Sequence, residues 1–235
     1  MEVKFAVAKV SKYASKESGD TLEMIERPHG GLSMVLVDGQ RSGRAAKAIS
    51  NVVARKAVQL LAEGVRDGAA ARAAHDYLYT YRGGKVSATL NILSIDGRTR
   101  SLVVSRNNPA PVIVFSEENG FYLLDEPSSV VGVHRNVKPI INEVPLLPGT
   151  LVVVYTDGLE HAGSISGTKS LVPIMIVREM VESGINEPQP IVDGLLDKAV
   201  EMEQGRPRDD ISVMAVAVTD IGGDDARRLS GRLPL

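Results

Sequence analysis

The amino-acid sequence predicts an α+β domain in which helices cover packed antiparallel β-sheets. Its predicted elements run as strands, two helices, many strands, two helices and one strand, rather than as alternating strands and helices. Two of the strands, Lys85–Ile95 and Thr99–Arg106, flank Asp96-Gly97, a dipeptide typical of a hairpin turn. A hydrophobic content of 43% with 24% charged residues fits one globular domain, predicted at 1–219, with a loose Gly- and charge-rich tail at 220–235.

The other strands are short segments, apolar or alternating, that end near turn residues. They are predicted at Glu2–Val10, Leu32–Val37, Pro111–Phe115, Phe121–Leu124, Val137–Val144, Leu151–Thr156 and Ile211–Val218. The helices are predicted from apolar residues spaced three and four positions apart. They lie at Arg44–Glu63 and Asp67–Tyr79 in the first region and at Thr168–Ser183 and Pro188–Gln204 in the second.

Composition excludes several classes of protein. Cysteine is absent, which excludes disulfides, cysteine-ligated zinc and a cysteine nucleophile. With 27 basic and 29 acidic residues and no Trp, the sequence predicts no nucleic-acid partner. No apolar run approaches the ~18 residues that cross a bilayer, and the N-terminus has no cleavage-site pattern. We therefore expect no membrane partner and a cytoplasmic location.

Five Asp-Gly pairs begin at Asp38, Asp67, Asp96, Asp157 and Asp193. A single Asp-Gly pair is usually a tight turn, and Asp96 fits that interpretation because it joins two strands. We assign no chemistry to Asp67 or Asp193, which lie at a helix boundary and within a helical pattern. Asp38 and Asp157 differ because each directly follows an apolar strand. A carboxylate there is held rigidly, and a bound cation can offset its desolvation.

Three further acids lie near strands. Asp209 and Asp210 directly precede the last strand, where they could bind metal or merely keep the strand soluble. Asp20, in the segment SKESGD, is on its own interpreted as a solvated loop acid. Four carboxylate positions that converge near strand ends would suit a two-metal hydrolase, and hard oxygen ligands select Mg²⁺ or Mn²⁺. The four histidines show no paired metal spacing and are interpreted as surface or packing residues.

Several motifs occur together in a fixed order. SGD ends at Asp20, VDGQRSGRAA spans Val37–Ala46, LPGTLVVVYTDGLEHA spans Leu147–Ala162, and RDDISVMAV spans Arg208–Val216. From about Ser11 to Val218 the chain resembles the metal-dependent (type 2C) protein serine/threonine phosphatases. More narrowly, it resembles the bacterial branch that contains SpoIIE and the stand-alone stressosome phosphatases of the RsbX type.

The resemblance implies a fold, a site and an activity. The fold would be two packed antiparallel sheets flanked by helices on both sides, a four-layer α-β-β-α sandwich. Asp38 would bridge two divalent ions, Mn²⁺ or Mg²⁺, and the Gly39 carbonyl would bind one of them. Asp157 and Asp209 would bind the other ion, and Asp20 would lie close to the pair, as a ligand directly or through water. Asp210 would help to position the site without binding metal directly.

The implied reaction is hydrolysis of phosphoserine or phosphothreonine by a metal-activated water. The implied partner is a phosphorylated bacterial signalling protein, either a stressosome protein or an anti-sigma-factor antagonist. Two other functions stay open at this point: a catalytically weak phosphatase fold that only binds a partner, and a metal hydrolase for small phosphate esters.

Two positions depart from the family pattern. Arg41 stands where the bacterial branch usually has Gly, so the loop must differ if that Gly is needed for backbone shape. We expect Arg41 to lie within reach of the substrate phosphate or a nearby acid, although an exposed side chain without a role would fit equally. Gln40 stands where eukaryotic relatives carry a histidine, which leaves the proton donor for the leaving oxygen unidentified.

Overall fold

Two five-stranded antiparallel sheets pack face to face in the structure, a computed structural model that describes residues 1–164, 170–220, 226–232 and 234. The first sheet has the strand order β1-β10-β9-β6-β7, and the second has β2-β3-β4-β5-β8. The strands are β1 (Glu2–Val10), β2 (Asp20–Glu26), β3 (Leu32–Asp38), β4 (Leu90–Asp96), β5 (Ser101–Asn107), β6 (Val112–Ser116), β7 (Gly120–Leu124), β8 (Ile140–Pro145), β9 (Leu151–Tyr155) and β10 (Ile211–Thr219).

Helices cover the outer face of each sheet. They are α1 (Gly43–Ala62), α2 (Asp67–Arg82), α3 (Asp157–His161), α4 (Pro173–Glu182) and α5 (Pro188–Met202), and a 3₁₀ turn spans Pro28–Gly30. Helices α1 and α2 lie on the sheet that contains β3, while α3 and α5 lie on the sheet that contains β10. The predicted α+β sandwich with helices on both sides is confirmed.

Among the described residues three apolar clusters form the core, because most strands have one face toward the other sheet and one toward helices. Met34, Leu36, Val154 and Met214 belong to the cluster between the sheets. The second cluster joins the outer face of β3 and β4 to α1 and α2, and the third joins β1, β9 and β10 to α3, α4 and α5. Strands β3 and β9, which lead to Asp38 and Asp157, are therefore covered on both faces and held rigidly.

Several predicted boundaries shift. Strand β4 begins at Leu90, five residues after the predicted start at Lys85, and β8 begins at Ile140 rather than Val137. Helix α4 begins at Pro173; residues 170–172 are not helical, and 168–169 lie outside the described residues. Strand β2 and the short helix α3 were not predicted at all.

The described part of the C-terminal segment contacts the domain. Arg227 pairs with Glu26 at 2.6 Å and donates to the carbonyl of Gly30 at 3.2 Å. Residues 221–225, 233 and 235 of the predicted loose tail lie outside the described residues. In the part of the chain that the structure describes, no helix combines the length and apolar character needed to cross a membrane.

Candidate metal centre

The acids of both sheets meet at one edge of the sandwich. Asp20 and Asp38 are paired in the β2–β3 register. Thr156 is the first residue after β9, and Asp157 follows it. Strand β10, the neighbour of β9, begins immediately after Asp210. The Thr156 hydroxyl donates to the carboxylate of Asp20 at 3.2 Å, which joins the two sheets at this edge.

Asp20 is fully buried as the first residue of β2, so its interpretation as a solvated loop acid is wrong. Its Oδ2 accepts hydrogen bonds from Thr156 and from the Ser212 hydroxyl at 2.5 Å, whereas Oδ1 has no donor among the described residues. Burial raises the pKa of Asp20, and the hydrogen bond from Ser212 partly opposes that rise. The free Oδ1 is therefore a buried acceptor that needs a cation or a proton.

Asp38 is half-buried and lies among other acids. Burial raises its pKa first, and the charges of Asp20, Asp157 and Asp209 raise it further. Asp38 lies close enough to Asp20 to share a proton, but two ionised carboxylates offer each other no donor. All four carboxylates therefore repel one another unless positive charge enters between them.

Gly39 occupies a position that admits no side chain. A Cβ at Gly39 would lie 2.1 Å from the carbonyl oxygen of Ala46 in α1. Gly39 also bridges Ala88, but the ladder bonds belong to its neighbours: Gln40 N donates to Ser87 O, and Asp38 O accepts from Thr89 N. Because Gly39 itself sits at the non-hydrogen-bonded position of this bridge, the bridge leaves its carbonyl available to a ligand.

Asp157 opens helix α3, and its neighbour Gly158 packs against the opposite segment. A Cβ at Gly158 would lie 2.2 Å from the carbonyl oxygen of Asp210. The exposed His161 imidazole lies 3.9 Å from Asp157, so this histidine borders the acids although its spacing in the sequence did not indicate a metal ligand. Close packing at Gly158 holds Asp157 beside Asp209.

Asp209 and Asp210 have different surroundings. Asp210 is 5% exposed, and its two carboxylate oxygens accept N–H groups from Lys12 at 2.9 Å and Gly19 at 2.8 Å. Asp209 is half-buried; burial raises its pKa, the hydrogen bond from the Asp210 N–H lowers it, and Asp157 raises it again. Asp210 thus fixes the loop that precedes Asp20, while Asp209 lies beside Asp157.

The two departures from the family pattern have different structural outcomes. Arg41 is exposed and has φ +80°, the left-handed conformation that favours Gly. The backbone shape is therefore kept with an arginine in place. No hydrogen bond or ion pair of its side chain occurs within the described part of the chain. The Gln40 side-chain oxygen accepts the N–H of Ser87 at 3.1 Å.

The residues at this edge fit a hard divalent cation. Among the described residues no group of three His, Cys, Asp or Glu side chains is close enough to hold a metal ion, so the acids form an open set. An open set is what Mg²⁺ usually takes, with one or two carboxylates and several waters. The free Oδ1 of Asp20, the mutual repulsion at Asp38 and the all-oxygen donors match such an ion.

Four residues of the site were missed by the sequence reasoning. Thr156 and Ser212 donate to Asp20, and the ammonium groups of Lys47 and Lys9 donate to the Asp20 carbonyl at 2.8 and 3.1 Å. Thr156 and Ser212 stand next to the acid motifs in sequence, which is a usable signal. No pattern in the sequence distinguishes Lys9 or Lys47 from other surface lysines.

Relatives with the same organisation are found by sequence and by structure. Stage II sporulation protein E of Bacillus subtilis is 21% identical over 220 residues, which are 92% of this chain and 26% of that protein. The chain thus spans about a quarter of the length of this curated relative. The solved phosphatase domain of SpoIIE, described as a PP2C phosphatase domain with a regulatory fragment, superposes with a TM-score of 0.79 at 19% identity, covering 93% of this chain and 63% of the other.

Two other solved structures share the fold. RsbX in complex with magnesium has a TM-score of 0.70 at 17% identity, with coverage of 91% of this chain and 94% of the other. The catalytic domain of PstP, a serine/threonine protein phosphatase with two manganese ions, has a TM-score of 0.68 at 14% identity, covering 93% and 99%. The family model described as Stage II sporulation protein E (SpoIIE) matches residues 28–219. The chain therefore belongs to the SpoIIE family and has the fold of the PP2C phosphatases.

Proposed function

We propose that the protein is a metal-dependent serine/threonine protein phosphatase. The observation that carries this proposal is that Asp38 lies near enough to Asp20, Asp157 and Asp209 for their charges to raise its pKa, beside a buried Asp20 oxygen without a donor among the described residues. The acids come from both sheets and from positions far apart in the sequence, so chance turn residues do not explain their convergence. The folds of SpoIIE, RsbX and PstP support the same function.

The metal-binding residues would be Asp20, Asp38, Asp157 and Asp209 together with the Gly39 carbonyl. Two bound divalent ions, Mn²⁺ or Mg²⁺, would supply a nucleophilic water at neutral pH and neutralise charge on the phosphoryl oxygens. The magnesium of the RsbX structure and the two manganese ions of the PstP structure support this choice of cation. The charges of Asp20 and of both acids of the other sheet all act on Asp38, so we assign it the bridging role.

The other residues of the site orient the acids and receive the substrate. Thr156 and Ser212 donate to Oδ2 of Asp20, which leaves its Oδ1 available to a metal ion. Arg41 projects from the loop three residues after Asp38 and carries a charge suited to a phosphate. Gln40 is bonded to the Ser87 N–H and is no acid, so the leaving oxygen would take its proton from solvent. No covalent phosphoenzyme is needed, consistent with the absence of cysteine.

The substrate we propose is a phosphorylated bacterial signalling protein, either a stressosome component or an anti-sigma-factor antagonist. The sequence resemblance to the RsbX and SpoIIE branch supports it. The partial exposure of Asp38 and Asp157 also suits a protein substrate, because a phosphoserine on a folded partner must reach the acids from outside. Such a partner would place the enzyme in the cytoplasm.

The test is hydrolysis of an aryl phosphate and of a phosphoserine protein, each with manganese, with magnesium and with excess chelator. We expect turnover of both substrates that requires the metal and disappears with chelator. Undiminished turnover after dialysis into chelator would exclude the two-metal mechanism. Activity toward aryl phosphate alone would favour a hydrolase of small esters, and activity toward neither substrate would favour a binding module.

A further inference from the structure

A basic groove lies directly beside the proposed metal centre. A cavity of about 270 Å³ includes Asp209 and Gly158 in its lining, and a second cavity of about 610 Å³ adjoins it. Glu203 and Arg208 line both cavities, so the two cavities are neighbours on the surface. We name the second cavity the basic groove; its lining consists of Lys12, Tyr13, Met202, Glu203, Gln204, Arg206, Pro207 and Arg208.

The groove has a fixed wall because two distant loops are bonded to each other. Tyr13 N donates to the carbonyl of Pro207 at 2.7 Å, and Lys12 N donates to Asp210 at 2.9 Å. The Arg206 guanidinium lies over the ring of Tyr13, 5.3 Å from its centre. The positions of Lys12 and Arg206 are therefore set by backbone bonds and ring contact before any partner binds.

The charges of the groove are unbalanced. The Glu203 carboxylate is 5% exposed, accepts the Gly163 N–H at 2.7 Å and lies 3.5 Å from the Arg208 guanidinium, so it offsets Arg208. Within the described ranges, no carboxylate lies at ion-pair distance from Lys12 or Arg206. Two cations without an ion pair among the described residues thus stand next to the acids. Burial raises the pKa of Asp209, and the charge of Lys12 acts to lower it.

We propose that the basic groove binds acidic side chains of the phosphoprotein, a few residues away from its phosphoserine. This inference rests on the proposed phosphatase function and adds a substrate class to it. Arg208 is one peptide unit from Asp209, and an extended peptide advances ~3.3 Å per residue. A phosphoserine at the acids would thus place a residue two to four positions away in the groove. Glu or Asp there would meet the free charges of Lys12 and Arg206.

The experiment compares two phosphoserine peptides that differ only at those flanking positions, one with Glu and one with Gln. The readout is the ratio of kcat/KM for the Glu peptide to that for the Gln peptide, measured with manganese at low salt. We expect a ratio of roughly five to ten in the wild type, falling as salt screens the charges. The Lys12→Gln/Arg206→Gln double variant should have a ratio near one. The ratio cancels any loss of activity common to both peptides.

The matched control is Lys85→Gln/Arg98→Gln, which removes the same charge from two exposed positions in the loops before and after β4. This variant should keep the wild-type ratio. An equal ratio in the wild type and the groove variant would overturn the proposal, and so would an equal loss in the control variant, since net charge would then explain the preference.

Binding of the unphosphorylated Glu peptide, followed by fluorescence anisotropy, separates this proposal from the phosphatase function itself. If no ester is hydrolysed but the Glu peptide binds the wild type about tenfold more tightly than the groove variant, the groove stands and the phosphatase proposal fails. If esters are hydrolysed and both proteins bind the peptide equally, the phosphatase proposal stands and the groove fails.

Discussion

Asp96-Gly97 and Asp38-Gly39 carry the same dipeptide at the ends of β4 and β3, two neighbouring strands of one sheet. Because these strands are antiparallel, the two pairs lie at opposite edges. Asp96 accepts N–H groups from Arg98 and Thr99; although burial acts to raise its pKa, these bonds leave it below its usual range. At Asp38, by contrast, burial and then the charges of neighbouring acids raise the pKa.

The glycines of the two pairs differ in the same way. A Cβ at Gly97 would meet nothing within 4 Å, whereas at Gly39 it would meet the backbone of α1 at 2.1 Å. Asp96-Gly97 is a turn whose carboxylate has N–H donors. Asp38-Gly39 combines an acid beside other acids with a glycine packed against helix α1. The dipeptide alone does not determine its role; the number of N–H donors and the packing around it do.

Replacing the two aspartates tests this difference most directly. Asp38→Asn should lower manganese-dependent turnover by more than about 100-fold, the upper end of what outer-sphere changes cost, because Asp38 is the proposed bridge. Asp96→Asn should stay within about twofold, as surface changes do. Steady-state kinetics at saturating manganese checks both variants. Wild-type rates for Asp38→Asn would mean that it, too, is only a turn residue.

Replacing each glycine by alanine tests the difference in packing between Gly39 and Gly97. Gly39→Ala should lower the free energy of unfolding by about 3 kcal/mol, because α1 must move away from the new Cβ. Gly97→Ala, which meets open space, should change it by no more than about 0.5 kcal/mol. Urea unfolding of the two metal-free variants gives both numbers, and equal stabilities would show that α1 yields easily at this contact.

Asp209 and Asp210 repeat the comparison within one dipeptide, since Asp210 resembles Asp96 in its backbone donors. Asp209→Asn should lose most manganese-dependent turnover and bind manganese more weakly. Asp210→Asn should keep turnover at saturating metal but lose about 1–3 kcal/mol of stability, because an amide places a donor against an N–H group. Turnover and urea unfolding are measured side by side. A dead Asp210→Asn that remains as stable as the wild type would shift the ligand to that residue.

The pH dependence of the metal-free protein provides a weaker test. Asp20, Asp38 and Asp209 have folded-state pKa values above the unfolded values near 4, so the folded state binds more protons above about pH 4. Stability in chelator should therefore fall as the pH rises from about 5 to 8. Thermal unfolding should show a flatter pH dependence for Asp38→Asn and after manganese is restored, but not for Asp96→Asn.

The smallest expected effect concerns Arg41. Arg41→Gly should raise the free energy of unfolding by about 1 kcal/mol, because Gly adopts the left-handed conformation without strain. Arg44→Gly, in the first turn of α1, is the control and should lower it by a similar amount. Arg41→Gly should also raise KM for a phosphoprotein if the side chain binds phosphate. An unchanged KM would leave Arg41 as an exposed residue without a substrate contact.

Local patterns were sufficient for β3, β9 and β10, whose apolar runs end at or begin beside the acids. They were insufficient for β2, because DTLEMIE is mostly exposed or half-buried and pairs only with β3 within its sheet. The burial of Asp20 depends on Thr156 and Ser212, which lie 136 and 192 positions away in sequence. No periodicity encodes such contacts. The family resemblance indicated Asp20 because the family motifs occur in a fixed order along the whole chain, and SGD is the first of them.

The antiparallel pairing of β1 with β10 has a consequence for the order in which the site is completed during synthesis. Glu2 pairs with Thr219, so one sheet is completed only by its last strand. Asp209 leaves the ribosome about 170 residues after Asp38, a delay on the order of 10 to 30 seconds at ordinary translation rates. A nascent chain held before that point contains Asp20, Asp38 and Asp157 but lacks Asp209 and the strand β10. A product that stops before Asp209 would therefore lack one of the proposed metal ligands, and supplying residues 209–219 as a separate fragment would be a direct route to a split, inducible form of the proposed phosphatase.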